Sequence, residues 1–362
     1  MKKLFFIILT FLFILVILAI LLAKSTILNH VKTYKFKNLP TVCGDIKLGG
    51  FSDLFYKNGY FYAITDRGPN SREFVENDTT YRVFNCVNYH PYIVKFKLEK
   101  DEAKVVEVKQ IPELSGMPIA IGRDSTPLNE QEKPIPFDIN GADTESFIID
   151  KNGNYWIGEE YYPSIIKLDS NLKFLARFAP VNLSVKNPKV TYNLPEEFNK
   201  VRTNLGFESM FYDGDKYIYV FTQSGLKGEE TIISVIKFNI DTQKCEKVLK
   251  YNFQDKSIMS AVTYTTDGHE IFSAERINGK HYLNKLVVRG NKIEKTSIIK
   301  DLQGLENIHE NIKIEGLANV GKKVYIINDN DFGIDETNDK GCFVMEFKRS
   351  NALKKLLKIK WD

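Results

Sequence analysis

A two-strand pattern that recurs five times along the chain is the strongest constraint on its fold. Each copy has an apolar run, a short turn that contains glycine and a second apolar run, which is typical of a β-hairpin. Two copies turn at Asn58-Gly59 and Asn152-Gly153, and Asn-Gly is among the strongest short-range hairpin signals. Because a hairpin brings its two open ends together, polar residues that flank the runs are expected to lie at one edge of a sheet.

Further alternating runs of apolar and polar residues lie between these hairpins, so that each repeat of roughly 45–60 residues contains about four short strands. Such repeats are typical of the blades of a β-propeller, whose inner strands surround a central channel. The sequence therefore predicts an all-β protein, a β-propeller of five or six blades, and the long interval between the first two hairpins favours six. The predicted hairpins cover residues 49–69, 142–163, 204–224, 257–276 and 313–332.

The N-terminus carries a long apolar segment. Residues 4–23 are apolar except for Thr10, and about 20 such residues match the roughly 30 Å hydrocarbon core of a bilayer. Lys2 and Lys3 precede this run and would hold the N-terminus in the cytoplasm. The segment is predicted to be an uncleaved transmembrane signal anchor, with a cleaved signal peptide as the alternative. The rest of the chain would then be membrane-anchored on the extracytoplasmic side, in the periplasm or at the cell surface, or secreted after cleavage.

The chain is predicted to contain one large domain. Its 362 residues suffice for a single all-β domain. A strand candidate at 34–40 has no hairpin partner beside it, and it would close the ring against the last blade and so remove an exposed sheet edge. We expect a monomer. The predicted division is a signal anchor or signal peptide at 1–24, a stalk at 25–33, the propeller at 34–350 and a C-terminal tail at 351–362.

Charge and cysteine content exclude two classes of function. The net charge is +4, and the basic residues are scattered among acidic ones, so no nucleic-acid-binding surface is predicted. None of the four cysteines has CxxC spacing, which argues against a zinc site. An even number of cysteines permits disulfides in three possible pairings, and four free thiols fit the sequence equally well. The cysteines are Cys43, Cys86, Cys245 and Cys342.

Acidic residues recur at the open ends of the predicted hairpins. The position before each first strand is occupied by Ser52, Glu145, Glu208, Ser260 and Glu315. Fourteen or fifteen residues later, at the end of the second strand, the polar residues are Asp66, Glu159, Gln223, Glu275 and Asp329. If the hairpins are the inner pairs of propeller blades, these side chains converge on one rim of the ring.

Such a convergence of carboxylates requires neutralisation. Two unit charges 4 Å apart repel by about 4 kcal/mol at an effective dielectric constant near 20. Raised pKa values, the neighbouring Arg67 and Arg276, or a hard cation such as Ca²⁺ held by six to eight oxygens would offset the repulsion. Acids at strand ends also form turns and solubilise surfaces. Alternatively, Glu145, Glu208 and Glu315 would accept hydrogen bonds from backbone N–H groups of the next blade.

Over residues 49–347 the ordered motifs resemble the phytase-like family, also called "esterase-like activity of phytase". They read GGFSDL, YAITDRGP, ADTESF, WIGEEYYP, NLGFESM, IEGLANV and INDNDF. The resemblance implies an exported β-propeller with phosphatase-like or phytase-like activity, and Ca²⁺ by analogy with propeller phytases. In the fourth block Ser260 and Ala261 replace the acid-glycine pair. The family's characteristic positions fall on Asp66, Arg67, Glu145, Glu159, Glu160, Glu208, Glu315, Asp329 and Asn330.

From the motifs and the resemblance we predict a calcium-dependent hydrolase that acts on a small phosphorylated molecule. Glu159 or Glu160 would be the general base, and Arg67 and Arg276 would also take part in catalysis. The predicted metal ligands are Asp66, Glu145, Glu208, Glu315 and Asp329, and the predicted substrate-binding residues are Arg67, Arg72, Arg276 and Asn330. The alternatives are a non-catalytic, membrane-tethered binding propeller with a structural acidic ring, and a calcium-dependent lactonase or esterase.

Overall fold

A computed structural model describes residues 2–24, 26–120, 125–252, 257–265, 270–306, 308, 311–334 and 341–351. For residues 2, 4–5, 8–9, 19–24, 26 and 351 it describes the backbone only. The turn predicted at 267–268 in the fourth hairpin and the predicted tail beyond residue 351 lie outside the described residues.

The described chain is built almost entirely of strands. It has one α-helix, α1, and two short 3-10 helices, at Glu196–Lys200 and Asp331–Gly333. In chain order the helix and strands are α1 (Lys2–Lys24), β1 (Thr26–Lys35), β2 (Thr41–Cys43), β3 (Ile46–Lys47), β4 (Phe51–Lys57), β5 (Tyr60–Thr65), β6 (Asn70–Glu76), β7 (Thr79–Phe84), β8 (Tyr92–Glu99), β9 (Glu102–Gln110), β10 (Thr126–Leu128), β11 (Thr144–Ile149), β12 (Tyr155–Glu159), β13 (Ser164–Leu168), β14 (Phe174–Pro180), β15 (Val190–Leu194), β16 (Phe207–Tyr212), β17 (Tyr217–Thr222), β18 (Ile232–Asn239), β19 (Lys244–Asn252), β20 (Ser257–Thr265), β21 (Glu270–Ile277), β22 (Lys280–Arg289), β23 (Lys292–Asp301), β24 (Lys313–Val320), β25 (Lys323–Asp329) and β26 (Phe343–Asn351).

Five of these strands form a ring around a central axis. The strands β4, β11, β16, β20 and β24 contact one another in that order, and β24 contacts β4 to complete the ring. Each is the first strand of an antiparallel unit of four strands. The units are β4-β5-β8-β9, β11-β12-β13-β14, β16-β17-β18-β19, β20-β21-β22-β23 and β24-β25-β26-β1.

The hydrophobic core is divided into five layers, one between each pair of neighbouring units. One example lies between the second and third units, where Trp156 packs against Phe178 and Phe238. This arrangement follows from the sequence, because strands whose side chains alternate between two faces can bury apolar residues against a neighbour on each side.

Hydrogen bonds between outer strands join the units into larger sheets. Lys35 of β1 pairs with Glu102 of β9, and Lys250 of β19 pairs with Lys292 of β23, in both cases in parallel. The result is two eight-stranded sheets, each nearly closed because its two end strands lie side by side in the ring. The second unit instead gains β15 as a fifth strand.

The predicted fold class, a β-propeller of five or six blades with six favoured and a transmembrane helix before it, is therefore wrong. The described residues form a propeller-like all-β ring with five inner strands and two nearly closed sheets. The long interval between the first two hairpins does not hold a sixth unit. It holds the outer strands of the first unit and an inserted sheet of β6, β7 and β10.

The predicted membrane anchor is also wrong. In the part of the chain that the structure describes, no helix is long and apolar enough to cross a membrane. This finding overturns the predicted transmembrane segment, the predicted membrane partner and the predicted membrane-anchored, extracytoplasmic location. Residues 26–33 of the segment predicted as a stalk belong to β1, which pairs with β26 from Thr26↔Asn351 to Lys35↔Phe343. This strand, rather than one at 34–40, completes the last unit.

One disulfide is present among the described residues. Cys43 and Cys86 are bonded, with their Cα atoms 6.0 Å apart, whereas Cys245 and Cys342 are free. The bond joins the β2–β3 hairpin to the loop after β7. It lies in a cluster with Tyr89 and Phe332, beside the end of the ring that carries the acidic residues.

A buried carboxylate fixes the turn of the second hairpin. The Oδ1 atom of Asp150 accepts backbone hydrogen bonds from Asn152 and Asn154 at 2.8 and 2.9 Å. Its Oδ2 atom accepts from the Trp156 indole N–H and the Asn154 amide, both at 3.0 Å. Burial raises the pKa of Asp150, but these donors outweigh burial and hold the pKa below its ordinary value.

We expect Asp150→Asn to lower the free energy of unfolding at pH 7 by about 1.5–3 kcal/mol, because the new amide N–H₂ would face two donors. A depressed pKa in the folded state adds stability that is present above the pKa of the unfolded chain and is lost as the pH falls. The difference from wild type, measured by urea unfolding, should therefore shrink between pH 7 and pH 3.

Asp169→Asn is the matched control. Asp169 makes the same turn, and its Oδ1 atom accepts from the backbone of Asn171 and Lys173 at 2.8 and 2.9 Å. No side-chain donor to Asp169 is found within the described part of the chain, so this substitution should cost less. Equal losses for the two variants would contradict the assigned role of the Trp156 and Asn154 side chains.

Candidate functional site

Each of the five inner strands contains a β-bulge near its N-terminal end. The strand pairing skips one residue in every case, and the skipped residues are Ser52, Glu145, Glu208, Ser260 and Glu315. A bulged residue is unpaired and its strand bends there, which re-aims the side chain. The recurring position found in the sequence is therefore the bulge position, at the same end of all five inner strands.

The second recurring position lies at or just after the end of the second strand, one residue beyond the partner of the residue that precedes the bulge. The backbone N–H groups of Asp66, Glu160 and Gln223 close their hairpins by donating to the carbonyl groups of residues 50, 143 and 206, each at 2.9 Å. By the register of the ladders, the equivalent positions in the other two units are Arg276 and Asp329. The spacing of the five hairpins in the sequence placed Glu159 and Glu275 at this position instead, one residue too early.

Glu159 is fully buried and held in an ion pair outside the acidic cluster. Its Oε2 atom accepts from Arg177 Nη2 at 2.7 Å and from Ser164 Oγ at 3.0 Å, and its Oε1 atom accepts from the Tyr161 backbone at 2.8 Å. Burial raises the pKa of Glu159 although Arg177 opposes the shift. Glu275 occupies the equivalent position in the fourth unit and pairs with Lys295 at 3.0 Å.

Among the described residues, one group of carboxylates is close enough together to hold a metal ion, and it consists of Asp143, Glu145 and Glu160. One oxygen from each lies within 4.8 Å of the others, and all three residues are buried. Asp143 was not among the residues singled out from the sequence. The signal available in the sequence was the aspartate of the motif ADTESF. The first, third and fifth units have Gly50, Gly206 and Lys313 at the equivalent position, so an acid there distinguishes the second unit from them.

Arg67 lies against this acidic triad. Its Nη2 atom forms ion pairs with Asp143 Oδ2 and, at 3.4 Å, with Glu160 Oε2. The Arg67 backbone N–H also donates to Asp143 Oδ1 at 3.0 Å. The guanidinium lies 5.4 Å from the centre of the Tyr161 ring. Arg67 is therefore a buried cation held by two of the three triad carboxylates.

On the other side of the rim the charges are arranged around Lys313. Its Nζ atom lies 3.3 Å from Asp329 Oδ2 and also pairs with Asp331. Burial raises the pKa of Asp329 to about 6, against the attraction of Lys313. Burial likewise raises the pKa of Glu315 to about 7, against the attraction of Arg276, which is half-buried nearby.

Asp66 and Glu208 connect these two halves. Burial, Asp329 and Asp143 together raise the pKa of Asp66 well above its usual range. Burial, with repulsion from Glu160 and Glu315, does the same to the pKa of Glu208, which accepts from Gln223 Nε2 at 2.8 Å. We call this continuous set the acidic rim. It consists of Asp66, Asp143, Glu145, Glu160, Glu208, Glu315 and Asp329, with Arg67, Arg276 and Lys313 as its cations.

Two other predicted site residues differ in their placement. Asn330 lies at the rim, where its Oδ1 atom accepts from the Gly50 backbone at 3.3 Å. Gly50 has φ of +61°, and a Cβ atom there would lie 2.1 Å from the Phe332 ring and 2.8 Å from Asp66 Oδ1. Arg72 instead is exposed on β6, where it pairs with Glu132, so the structure does not bring it into the rim.

The donor set of the triad suits a hard divalent cation. All three side chains offer carboxylate oxygens, which Ca²⁺ and Mg²⁺ prefer, and no softer ligand is among them. The Arg67 guanidinium already stands as a cation between two of these carboxylates. The residues present therefore fit a divalent cation, with Asp143, Glu145 and Glu160 as the candidate ligands.

Comparison with known proteins gives one family match. Residues 46–332 match the family described as "Phytase-like: Esterase-like activity of phytase", which confirms the resemblance predicted from the motifs. The comparison with curated proteins found no match.

Similar solved structures are distant. A PQQ-bound aldose sugar dehydrogenase from Streptomyces coelicolor is 8% identical over 90% of this chain and 99% of its own, with a TM-score of 0.45. A galactose-bound exo-β-1,3-galactanase from Phanerochaete chrysosporium is 8% identical over 89% and 64%, with a TM-score of 0.48. A luciferin-regenerating enzyme is 11% identical over 83% and 94%, with a TM-score of 0.42. Similarity at this level carries no argument about activity.

We expect the neighbouring substitutions Glu159→Gln and Glu160→Gln to have opposite consequences for stability. Glu159→Gln leaves Arg177 buried without its charged partner, which typically costs about 3–5 kcal/mol. Glu160→Gln removes one of several mutually repelling carboxylates, and Arg67 keeps Asp143 as a partner. Urea unfolding at pH 7 in chelator should therefore show a large loss for the first variant and little loss or a gain for the second. Similar losses would contradict the separation of Glu159 from the rim.

Proposed function

The chain belongs to the phytase-like family, and from this premise we propose that it is an enzyme that hydrolyses phosphate monoesters at the acidic rim with a bound divalent cation. Ca²⁺ is the natural choice because it accepts many carboxylate oxygens in flexible geometry. The observation that carries the proposal is the convergence of Asp143, Glu145 and Glu160 to within 4.8 Å in a buried site.

Asp143, Glu145 and Glu160 would hold the cation, and Asp66 and Glu208 flank them on the rim. When bound, such a cation polarises phosphoryl oxygens and lowers the pKa of a bound water. The need for a cation follows from charge, because burial raises the pKa values of Asp66, Glu145 and Glu208 and neighbouring carboxylates add to each shift. A divalent cation would stabilise the ionised forms of these groups.

Arg276 is the residue that we assign to the anionic substrate. It is half-buried at the rim position of the fourth unit, where the bulge carries Ser260 instead of an acid. The Arg276 charge lowers the pKa of Glu315 against the effect of burial. A guanidinium presents a fork of N–H donors that matches two phosphate oxygens. Asn330 would contribute a further polar contact beside Asp329.

Glu159 and Arg177 act as positioning residues in this proposal. The Glu159 Oε1 atom accepts from the Asp143 backbone at 3.3 Å and from the Tyr161 backbone at 2.8 Å. It therefore fixes the backbone of Asp143 and of the residue that follows Glu160. Partners of this kind orient the groups that hold a cation, and their loss typically lowers affinity or activity about 10–100-fold. In this proposal Glu159 therefore positions the triad and is not the general base.

The substrate class follows from burial as well as charge. No triad carboxylate is more than 9% exposed. A terminal phosphate on a small molecule would approach such buried carboxylates more readily than an internal diester of a long polymer. The substrate class that we propose is therefore a small phosphorylated molecule.

We expect purified protein to release phosphate from p-nitrophenyl phosphate in Ca²⁺ and to lose this activity in EGTA. Asp143→Asn and Glu145→Gln should each lower kcat/KM at least about 100-fold, because even indirect partners of a metal typically contribute 10–100-fold. Glu294→Gln, at an exposed acid paired with Arg289, is the control and should leave the rate unchanged.

The same assay separates the alternatives. Hydrolysis that EGTA does not change would overturn the role of the cation. Hydrolysis of p-nitrophenyl acetate but not of the phosphate ester would assign the rim to a carboxylic ester instead. Calcium binding with no hydrolysis of either ester would indicate a binding protein.

A further inference from the structure

Arg67 occupies the space between two carboxylates that also belong to the candidate cation site. Its guanidinium pairs with Asp143 and with Glu160, and only 6% of the residue surface is exposed. Breaking a buried ion pair by removing one partner leaves a charge without compensation. Arg67 therefore offsets part of the negative charge of the triad when no other cation is present.

A divalent cation held by the same oxygens would lie within a few ångströms of the guanidinium. Two positive charges at that separation in a desolvated site repel strongly. We propose that Arg67 is a built-in competitor that holds the triad in the cation-free protein and is displaced from Asp143 and Glu160 when the divalent cation binds. This inference rests on the cation site of the proposed function and adds an exchange between two cations at that site.

The displaced side chain stays at the rim because its backbone is fixed. The Arg67 N–H donates to Asp143 Oδ1 at 3.0 Å, and the next N–H, of Gly68, donates to Asp66 Oδ1 at 2.8 Å. The guanidinium would then have donors available for an anion beside the divalent cation. Binding of the cation and binding of phosphate should therefore strengthen each other by the same factor, as linkage requires.

The first test is calcium affinity, measured by calorimetric titration of the full chain. Arg67→Gln should bind Ca²⁺ about tenfold more tightly than wild type, or more, which lies within the range typical of coupled sites. Arg289→Gln, at an exposed arginine 3.3 Å from Glu294, is the matched control and should bind like wild type. Equal or weaker binding by Arg67→Gln would overturn the exchange.

The second test is thermal melting in EGTA and in Ca²⁺. Without Arg67 the negative charge of the triad is uncompensated. The melting temperature of Arg67→Gln should therefore lie below that of wild type in EGTA, and Ca²⁺ should raise it by more than it raises the melting temperature of wild type. An equal or smaller gain would contradict the exchange. Arg67→Lys covers the case in which Arg67→Gln does not fold, because it keeps the charge but not the fork of donors. Its calcium affinity should exceed that of wild type, and an affinity at or below wild type would count against the exchange.

The third test uses inorganic phosphate as the anion. In wild type, Ca²⁺ should tighten phosphate binding, and Arg67→Gln should lose most of this coupling. Retention of the full coupling in Arg67→Gln would overturn the role of Arg67 toward the anion. If neither protein binds Ca²⁺, the cation site of the proposed function fails and the exchange fails with it. If both bind Ca²⁺ equally, the exchange alone fails.

Discussion

Repulsion among buried carboxylates at one end of the ring is the constraint on which the site depends. The bulges and the second recurring positions bring acids of the first, second, third and fifth units together, and burial and neighbouring charges raise the pKa values of several of them. An arrangement of this kind persists only if cations or protons offset the repulsion. The rim contains both solutions, because Arg67 and Lys313 are paired with acids while the pKa of Glu315 is raised to about 7.

A different acid supports the ring itself. Asp53, directly after the first bulge, is 4% exposed, and its carboxylate accepts backbone hydrogen bonds from Leu54 at 2.7 Å and from Phe147 at 2.9 Å, with Leu317 as a third partner. These three donors belong to β4, β11 and β24, so one side chain satisfies N–H groups on three inner strands. The sequence led us to consider such a structural role for Glu145, Glu208 and Glu315. Those residues instead face one another at the rim.

The sequence predicted the parts of the fold that depend on local chemistry and missed those that depend on distant pairing. Glycine turns and alternating runs located all five inner hairpins, and the acids at their open ends were recognised. The second recurring position was misassigned at Glu159 and Glu275, because the hairpin turns differ in length and the spacing from the bulge to this position therefore varies between units. Asp143 was missed since its role arises from contact with Arg67, 76 residues away. The joining of β9 to β1 is likewise a long-range pairing that no local pattern specifies.

The two halves of the rim differ in a way that favours one of them for a cation. Attraction to Asp329 and Asp331 raises the pKa of Lys313 despite burial, so an ammonium point charge is firmly held there. Asp331 and Phe332 both have positive φ beside this pair, and Phe332 packs against Tyr89 in the cluster that contains the disulfide. Ion pairs and packing contacts therefore hold this half of the rim in place. The guanidinium of Arg67 spreads its charge over a fork of donors, and the carboxylates around it outnumber it. The half with the unbalanced charge, at Asp143, Glu145 and Glu160, is the one where a second cation would lower the electrostatic energy most.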